Sequence, residues 1–316
     1  MSFLIAIQGS WSEEFWAKVR NHTRDARPIL ALDQVSTGDS STIECLVTTS
    51  TQVLGSEELK FLPALKTHVR AASGDENVDL TSLKQKGIEH VSLPEPYAPS
   101  TAMLTVSLLL SVLMRLNHWQ TQLKEGTWDR PRGAFREFAT VQVGVLGMGH
   151  VGIRVFRYLK HLGFDVKASD PFRESSLYRQ TAPPAFSSVD VDALIEQSDV
   201  MVLCVKAATD RSRASFPVLT QVHLDRRSKP LILINTSRAE AVSESTLKKG
   251  LETGALGGCG LDVFWQEPLP KTHWLHGVSD RVVITPHIGS RSSESQRRME
   301  QAVLDKIQTF VNQSGV

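Results

Sequence analysis

The 316 residues suit one or two domains of ordinary size, and a 41% hydrophobic share is enough for real cores. A formal net charge of +1 leaves no global footprint for nucleic acid or an anionic membrane, so any anion site has to be local. Cys45, Cys204 and Cys259 lie far apart without C-x-x-C spacing. That argues against a disulfide framework or a zinc site and for free thiols in a reducing, cytoplasmic setting; no metal is expected.

In chain order, the N-terminus lacks a basic n-region and a long apolar run, so residues 3–7 read as a first strand rather than a signal peptide. Further strands are expected at 43–48, 69–72 and 90–93, with helices at 13–21 and 80–86 between them. This alternation indicates an α/β domain with a parallel sheet. The segment LPEPYAP at 93–99 holds three prolines and reads as a hinge without regular structure. A helix apolar nearly all round follows at 100–115, a spine between domains or subunits. Its most apolar stretch, MLTVSLLLSVLM at 103–114, falls short of the roughly 20 residues a bilayer requires. A second α/β series then begins, with strands at 141–146, Asp165–Ser169, 200–205, Leu231–Asn235 and Val282–Ile284. Its helices are expected at 151–162, Val191–Gln197 and Glu244–Thr253, and an amphipathic helix at 294–311 ends the chain.

The sharpest local signal is VQVGVLGMGHVG, ending at Gly152. A lone G-x-G-x-x-G is weak, but this one leaves a strand, opens a helix and has an acidic residue at the expected distance. Gly147 permits the tight turn, Gly149 lets a pyrophosphate approach the backbone, and Gly152 lets helix and sheet pack closely. His150 and Val151 then lie at the helix N-terminus, whose N–H groups attract phosphate. Asp170, 18 residues past Gly152, is placed to accept from a ribose 2′-hydroxyl, favouring NAD(H) over NADP(H). Arg173 lies close enough to soften that preference.

Three residues follow strand ends, where open α/β sheets bind ligands. Arg238, after the strand ending at Asn235 and Thr236, has the fork that grips a carboxylate with two hydrogen bonds. His287, in VVITPHIG, exchanges a proton near neutral pH, as carbonyl reduction requires. Glu267, in GLDVFWQEPLP, is of the type that fixes an imidazole tautomer. Taken singly, Arg238 reads equally as a surface ion pair, His287 as a structural histidine and Glu267 as a solvated loop carboxylate. Asp262, after an apolar step, is expected to be half-buried with a polar partner.

Together these segments resemble the D-isomer-specific 2-hydroxyacid dehydrogenases. VGVLGMGHVG with Asp170, INTSRAEAVSESTLKKGLETG, GLDVFWQEPLP and VVITPHIGS match in the family's order, over residues 69–300. The resemblance implies an α/β fold of two Rossmann-like, doubly wound domains with a central cleft. Residues 1–98 plus 290–316 would form the substrate domain and 99–289 the NAD-binding domain. It further implies hydride transfer between a nicotinamide cofactor and C2 of a small 2-oxo or 2-hydroxy acid, in a homodimer with the 100–115 helix at its interface. The catalytic arginine, glutamate and histidine fall on Arg238, Glu267 and His287. Cofactor contacts fall on the glycine turn, Asp170, Thr236 and Asp262, the last holding the nicotinamide carboxamide. A loop that takes the substrate carboxylate on backbone N–H groups falls at Ser73 and Gly74.

Residues 10–16 and the EPLP tail are similar to bacterial glyoxylate/hydroxypyruvate reductases. Those usually carry an Arg-Ser-Arg loop for NADP where this chain has ASDP at 168–171. Ala239 replaces a usual glycine, Met103 a usual glutamate, and Val205-Lys206-Ala207-Ala208-Thr209 stands where the family normally reads Leu-Pro-Leu-Thr. The 72–76 loop is unusually acidic beside a site meant for an anion. Two other functions fit the same fold: an NAD(H)-binding regulator, since a corepressor group resembles this family too, and a dehydrogenase of a phosphorylated hydroxy acid.

Overall fold

The computed structural model describes residues 4–23, 26–29, 41–170, 189–206, 217–278 and 280–313. Two compact units emerge, residues 1–97 with 293–316 and residues 98–292. Their boundaries lie at 97/98 and 292/293, against 98/99 and 289/290 from sequence. Arg173 and residues 207–209 lie outside the described residues.

In the first unit, β1 (Leu4–Gln8), β2 (Ala26–Ile29), β3 (Ile43–Thr49), β4 (Thr67–Ala71) and β5 (Glu89–Ser92) form a parallel sheet in the order β2-β1-β3-β4-β5. Strand alternation sends successive residues to opposite faces. Ile5, Ile7, Cys45 and Val47 join the core that Phe15 and Val19 of α1 (Glu13–His22) complete on one side. Ala6, Ile43 and Leu46 face the other, with Leu83 of α2 (Leu80–Gln85). α1 starts where it does because the Ser12 hydroxyl accepts from Phe15 N at 3.1 Å. The C-terminal helix, Ser293–Gln313, returns to this unit. It buries Met299, Val303, Ile307 and Phe310, and its Glu300 accepts from the Ser12 N–H and hydroxyl.

The second unit holds β6 (Gln142–Leu146), β7 (Asp165–Ser169), β8 (Val200–Leu203), β9 (Leu231–Asn235), β10 (Leu256–Leu261) and β11 (Val282–Ile284), all parallel, in the order β11-β10-β9-β8-β6-β7. One face carries α3 (Ala98–Leu113) and α5 (His150–His161); α4 (Leu116–Lys124) lies between them in sequence and buries no residue. On the other face are α6 (Val191–Gln197), α7 (Gln221–Asp225) and α8 (Glu244–Thr253), and the returning C-terminal helix of the first unit is α9. Ile153, Val155, Phe156 and Leu159 of α5 are buried against Val143 and Val145, each stabilising the unit by about 1.5–3 kcal/mol.

The sequence reading missed β2, α4, α7 and β10. The hinge also differs: 95–97 is a 3-10 turn and α3 begins at Ala98, because proline is tolerated in a helix's first turn. The resulting helical segment, Glu95–Leu113, has 19 residues and mean hydropathy 1.4, so by length and composition it reaches the membrane-crossing range that the shorter apolar stretch did not. Ala102, Leu108 and Leu109, at most 2% exposed, instead make it a core helix on β9 and β10. β8 ends at Leu203, two residues earlier than expected.

Candidate active site

Gly147 has φ +92°, and a Cβ there would meet the Cys204 carbonyl oxygen at 2.5 Å. At Gly152 a Cβ would stand 1.8 Å from the Gly147 oxygen. Both positions therefore need glycine for the protein's own folding. Gly149 differs: a Cβ there meets no described atom within 4 Å, and no side chain caps the helix that opens at His150. The turn is thus open where a pyrophosphate would approach a helix N-terminus. Asp170 belongs to the same turn, its Oδ2 accepting from Met148 N at 2.7 Å. An uncapped helix start, an open glycine and an acidic strand end fit a dinucleotide. Gly149→Ala should therefore fold with wild-type thermal stability yet bind NADH at least about tenfold more weakly in a fluorescence titration. Gly152→Ala should lose stability and binding together. Equal NADH affinity in Gly149→Ala would place the dinucleotide elsewhere.

At the end of β9 the Asn235 side chain builds the next turn. Its Oδ1 accepts from Ser237 N at 3.0 Å and Ser237 Oγ at 2.8 Å, while Nδ2 donates to the Arg238 carbonyl at 2.7 Å. Sequence reading passed over Asn235, although Asn-x-Ser after a strand is an Asx-turn signature. Arg238, half-buried, donates from Nη1 to the Ser237 carbonyl at 2.7 Å. Thr236, 9% exposed, shares a 2.6 Å hydroxyl hydrogen bond with Thr105 of α3. Ala239 opens a buried 3-10 turn without positive φ, so alanine is accommodated where glycine is usual. Met103 points outward, 63% exposed, and Lys206 is exposed.

His287 follows β11 with φ +52°, in the left-handed region that non-glycine residues seldom adopt. Its Nδ1 donates to Glu267 Oε2 at 2.7 Å, because an ionised carboxylate can only accept. Glu267 is held in turn by Phe264 N, which donates to Oε1 at 3.0 Å. The histidine is half-exposed, with Nε2 as the ring nitrogen left for a reacting group.

Asp262, expected to be half-buried, is 1% exposed. Its Oδ1 accepts from Thr285 Oγ1 at 2.6 Å and Ile288 N at 2.9 Å, and its Oδ2 from Gly289 N at 2.9 Å. The carboxylate thus anchors the chain on both sides of His287. The Thr285 hydroxyl was invisible to sequence reading as a functional group.

In the first unit, Ser73 is exposed and Gly74 buried, after the end of β4. The acidity expected to face an anion is partly turned away. Asp75 is 6% exposed and directed inward to Ser92 and His90, leaving only Glu76 exposed.

Residues 106–289 match the family described as D-isomer specific 2-hydroxyacid dehydrogenase, NAD binding domain. A glyoxylate reductase of Thermofilum pendens is 29% identical over 265 residues, covering 83% of this chain and 75% of that protein. A D-3-phosphoglycerate dehydrogenase of Archaeoglobus fulgidus is 28% identical over 264 residues, 84% of this chain but 49% of the relative. Among solved structures, a glyoxylate reductase from Paecilomyes thermophila shares the fold at a TM-score of 0.84 and 22% identity, over 98% of this chain and 96% of that one. With a family match spanning more than half its length, the chain belongs to the D-isomer specific 2-hydroxyacid dehydrogenases.

Proposed function

We propose that this dehydrogenase reduces a small 2-oxo acid of the glyoxylate or hydroxypyruvate type, with NADH preferred. The carrying observation is the His287–Glu267 pair, 2.7 Å apart, with the His287 loop held by Asp262. C2 of the acid accepts a hydride that the reduced nicotinamide supplies. His287 delivers a proton from Nε2 to the carbonyl oxygen, so a 2-hydroxy acid is formed and the imidazolium is left one proton poorer. Glu267 holds the ring by Nδ1 and stabilises its charged form. Arg238 grips the carboxylate and polarises the carbonyl. In the first unit, the backbone N–H groups at Ser73 and Gly74 are the proposed receivers of a substrate carboxylate. The turn at 147–152 with Asp170 holds the dinucleotide, Thr236 lines it, and the preference for NADH rests on the Asp170 carboxylate, which repels a 2′-phosphate.

A cytoplasmic homodimer is part of this reading. The three cysteines are free thiols. Met103, Leu116, Leu123, Trp128 and Phe135 are exposed apolar side chains on one stretch of chain, a composition suited to a partner subunit.

The test is steady-state oxidation of NADH and NADPH with glyoxylate, hydroxypyruvate, pyruvate, longer 2-oxo acids and a 3-phosphorylated 2-oxo acid. Saturable turnover is expected with glyoxylate or hydroxypyruvate, at kcat/KM at least about tenfold higher with NADH. Turnover of the phosphorylated acid alone would move the assignment to the phosphoglycerate type. Tight NADH binding without turnover of any acid would overturn the reductase reading.

A further inference from the structure

Beneath the 73–76 loop lies a polar network that a parallel sheet does not ordinarily bury. The register places His68 beside His90 and Arg70 beside Ser92, so His68, Arg70, His90 and Ser92 line one face of β4 and β5. Thr48, of β3, pairs with Arg70. Thr48 and His68 are 0% exposed and Arg70 is 1% exposed. Burying such groups costs stability unless each has a partner.

Each does, in one continuous chain. His90 Nε2 donates to Asp75 Oδ1 at 3.3 Å, and the Ser92 hydroxyl donates to the same oxygen. His90 Nδ1 and His68 Nδ1 share the next hydrogen bond, across 3.0 Å. His68 Nε2 in turn shares a 2.8 Å hydrogen bond with the Thr48 hydroxyl. Burial, followed by the charges of His90 and Arg70, pushes the His68 imidazole down to about 3, so it stays neutral near pH 7.

Arg70 works on the same loop from below. Its Nε donates to the Gly74 carbonyl at 3.3 Å, and its other nitrogens hold the carbonyls of Thr49, Ser50 and Gln52. Buried Arg70 and the half-buried His90–Ser92 pair therefore grip consecutive loop residues, Arg70 at Gly74 and the pair at Asp75. They also set a guanidinium charge against the Asp75 carboxylate, which by itself would repel an incoming anion.

We propose that Asp75, held by Ser92 and His90, is a positioning residue for substrate recognition: with Arg70 it fixes the Ser73 and Gly74 backbone so that its N–H groups meet the carboxylate of a 2-oxo acid. This rests on the reductase reading above. Removing the tether should weaken binding of the acid without touching the dinucleotide or the proton donor.

Three variants test it. Asp75→Ala should raise KM for the accepted 2-oxo acid at least about tenfold, leaving kcat within about twofold and NADH affinity unchanged. Asp75→Asn, which keeps an oxygen to accept from Ser92 and His90, should return KM to within about threefold of wild type. Ser92→Ala removes one donor and nothing from the fold's apolar core; its KM should rise a few-fold, which keeps the proposal testable should Asp75→Ala fail to fold. Wild-type KM in both Ser92→Ala and Asp75→Ala, or parallel losses in kcat and NADH affinity, would overturn the proposal. A wild-type enzyme that binds NADH and turns over no acid would instead refute the reductase reading itself.

Discussion

Replacing His287 with alanine should lower kcat by about a thousandfold, within the 10²–10⁴ range that positioned proton transfer contributes. NADH affinity and thermal stability should stay near wild type. The imidazole is half-exposed and its side-chain hydrogen bond goes to Glu267, so removing it opens no cavity in either core. The residue's φ of +52° is equally uncomfortable for alanine, so backbone strain changes little. Glu267 keeps its hydrogen bond from Phe264 N and remains ordered. The loss should appear equally in kcat and kcat/KM, the signature of an interaction made in the transition state alone. Stopped-flow NADH binding alongside steady-state turnover checks both halves. Turnover within threefold of wild type would remove His287 as the proton donor.

What the sequence displayed clearly was chemistry written over short distances. The strand, glycine turn and helix from Gln142 to His161 appear where hydrophobic periodicity and glycine spacing place them, and so do β9, α6 and α8. What it concealed depends on contacts between distant segments. β10 reads LGGCGL, a poor strand by propensity. Its glycines exist for a neighbour: a Cβ on Gly258 would meet Val112 of α3 at 2.9 Å and the Arg281 carbonyl at 2.7 Å, and one on Gly260 would meet Leu108 at 3.0 Å. The buried α3 helix thus dictates the composition of a strand more than 140 positions later. β2 carries an arginine and a proline, a composition an edge strand tolerates because one side of its backbone has no neighbour to pair with. The inward turn of Asp75 is equally nonlocal, since its partners His90 and Ser92 sit on the next strand. A carboxylate in an anion-binding loop looks misplaced until those donors are in view.

Asp262→Asn should be damaging in two measurable ways, and the pair separates two roles for this carboxylate. Thr285 Oγ1, Ile288 N and Gly289 N all donate to it, and Asp262 N itself donates to the Asn235 carbonyl, joining the ends of β9, β10 and β11. An asparagine has one acceptor oxygen. In either amide orientation its NH₂ faces a backbone N–H, Gly289 on one side or Ile288 on the other. One buried donor is then orphaned at about 1–3 kcal/mol, and a charge-assisted hydrogen bond is lost as well. A fall in unfolding free energy of about 2–4 kcal/mol is expected by urea titration. Because the displaced amides flank His287, its imidazole should lose its alignment, and kcat should fall about a hundredfold even though every reacting group is still present. If Asp262 served only to hold a nicotinamide carboxamide, the same variant would keep wild-type stability and show its loss in NADH affinity. An Asp262→Asn enzyme as stable as wild type would therefore refute the anchoring role and leave the cofactor contact as its function.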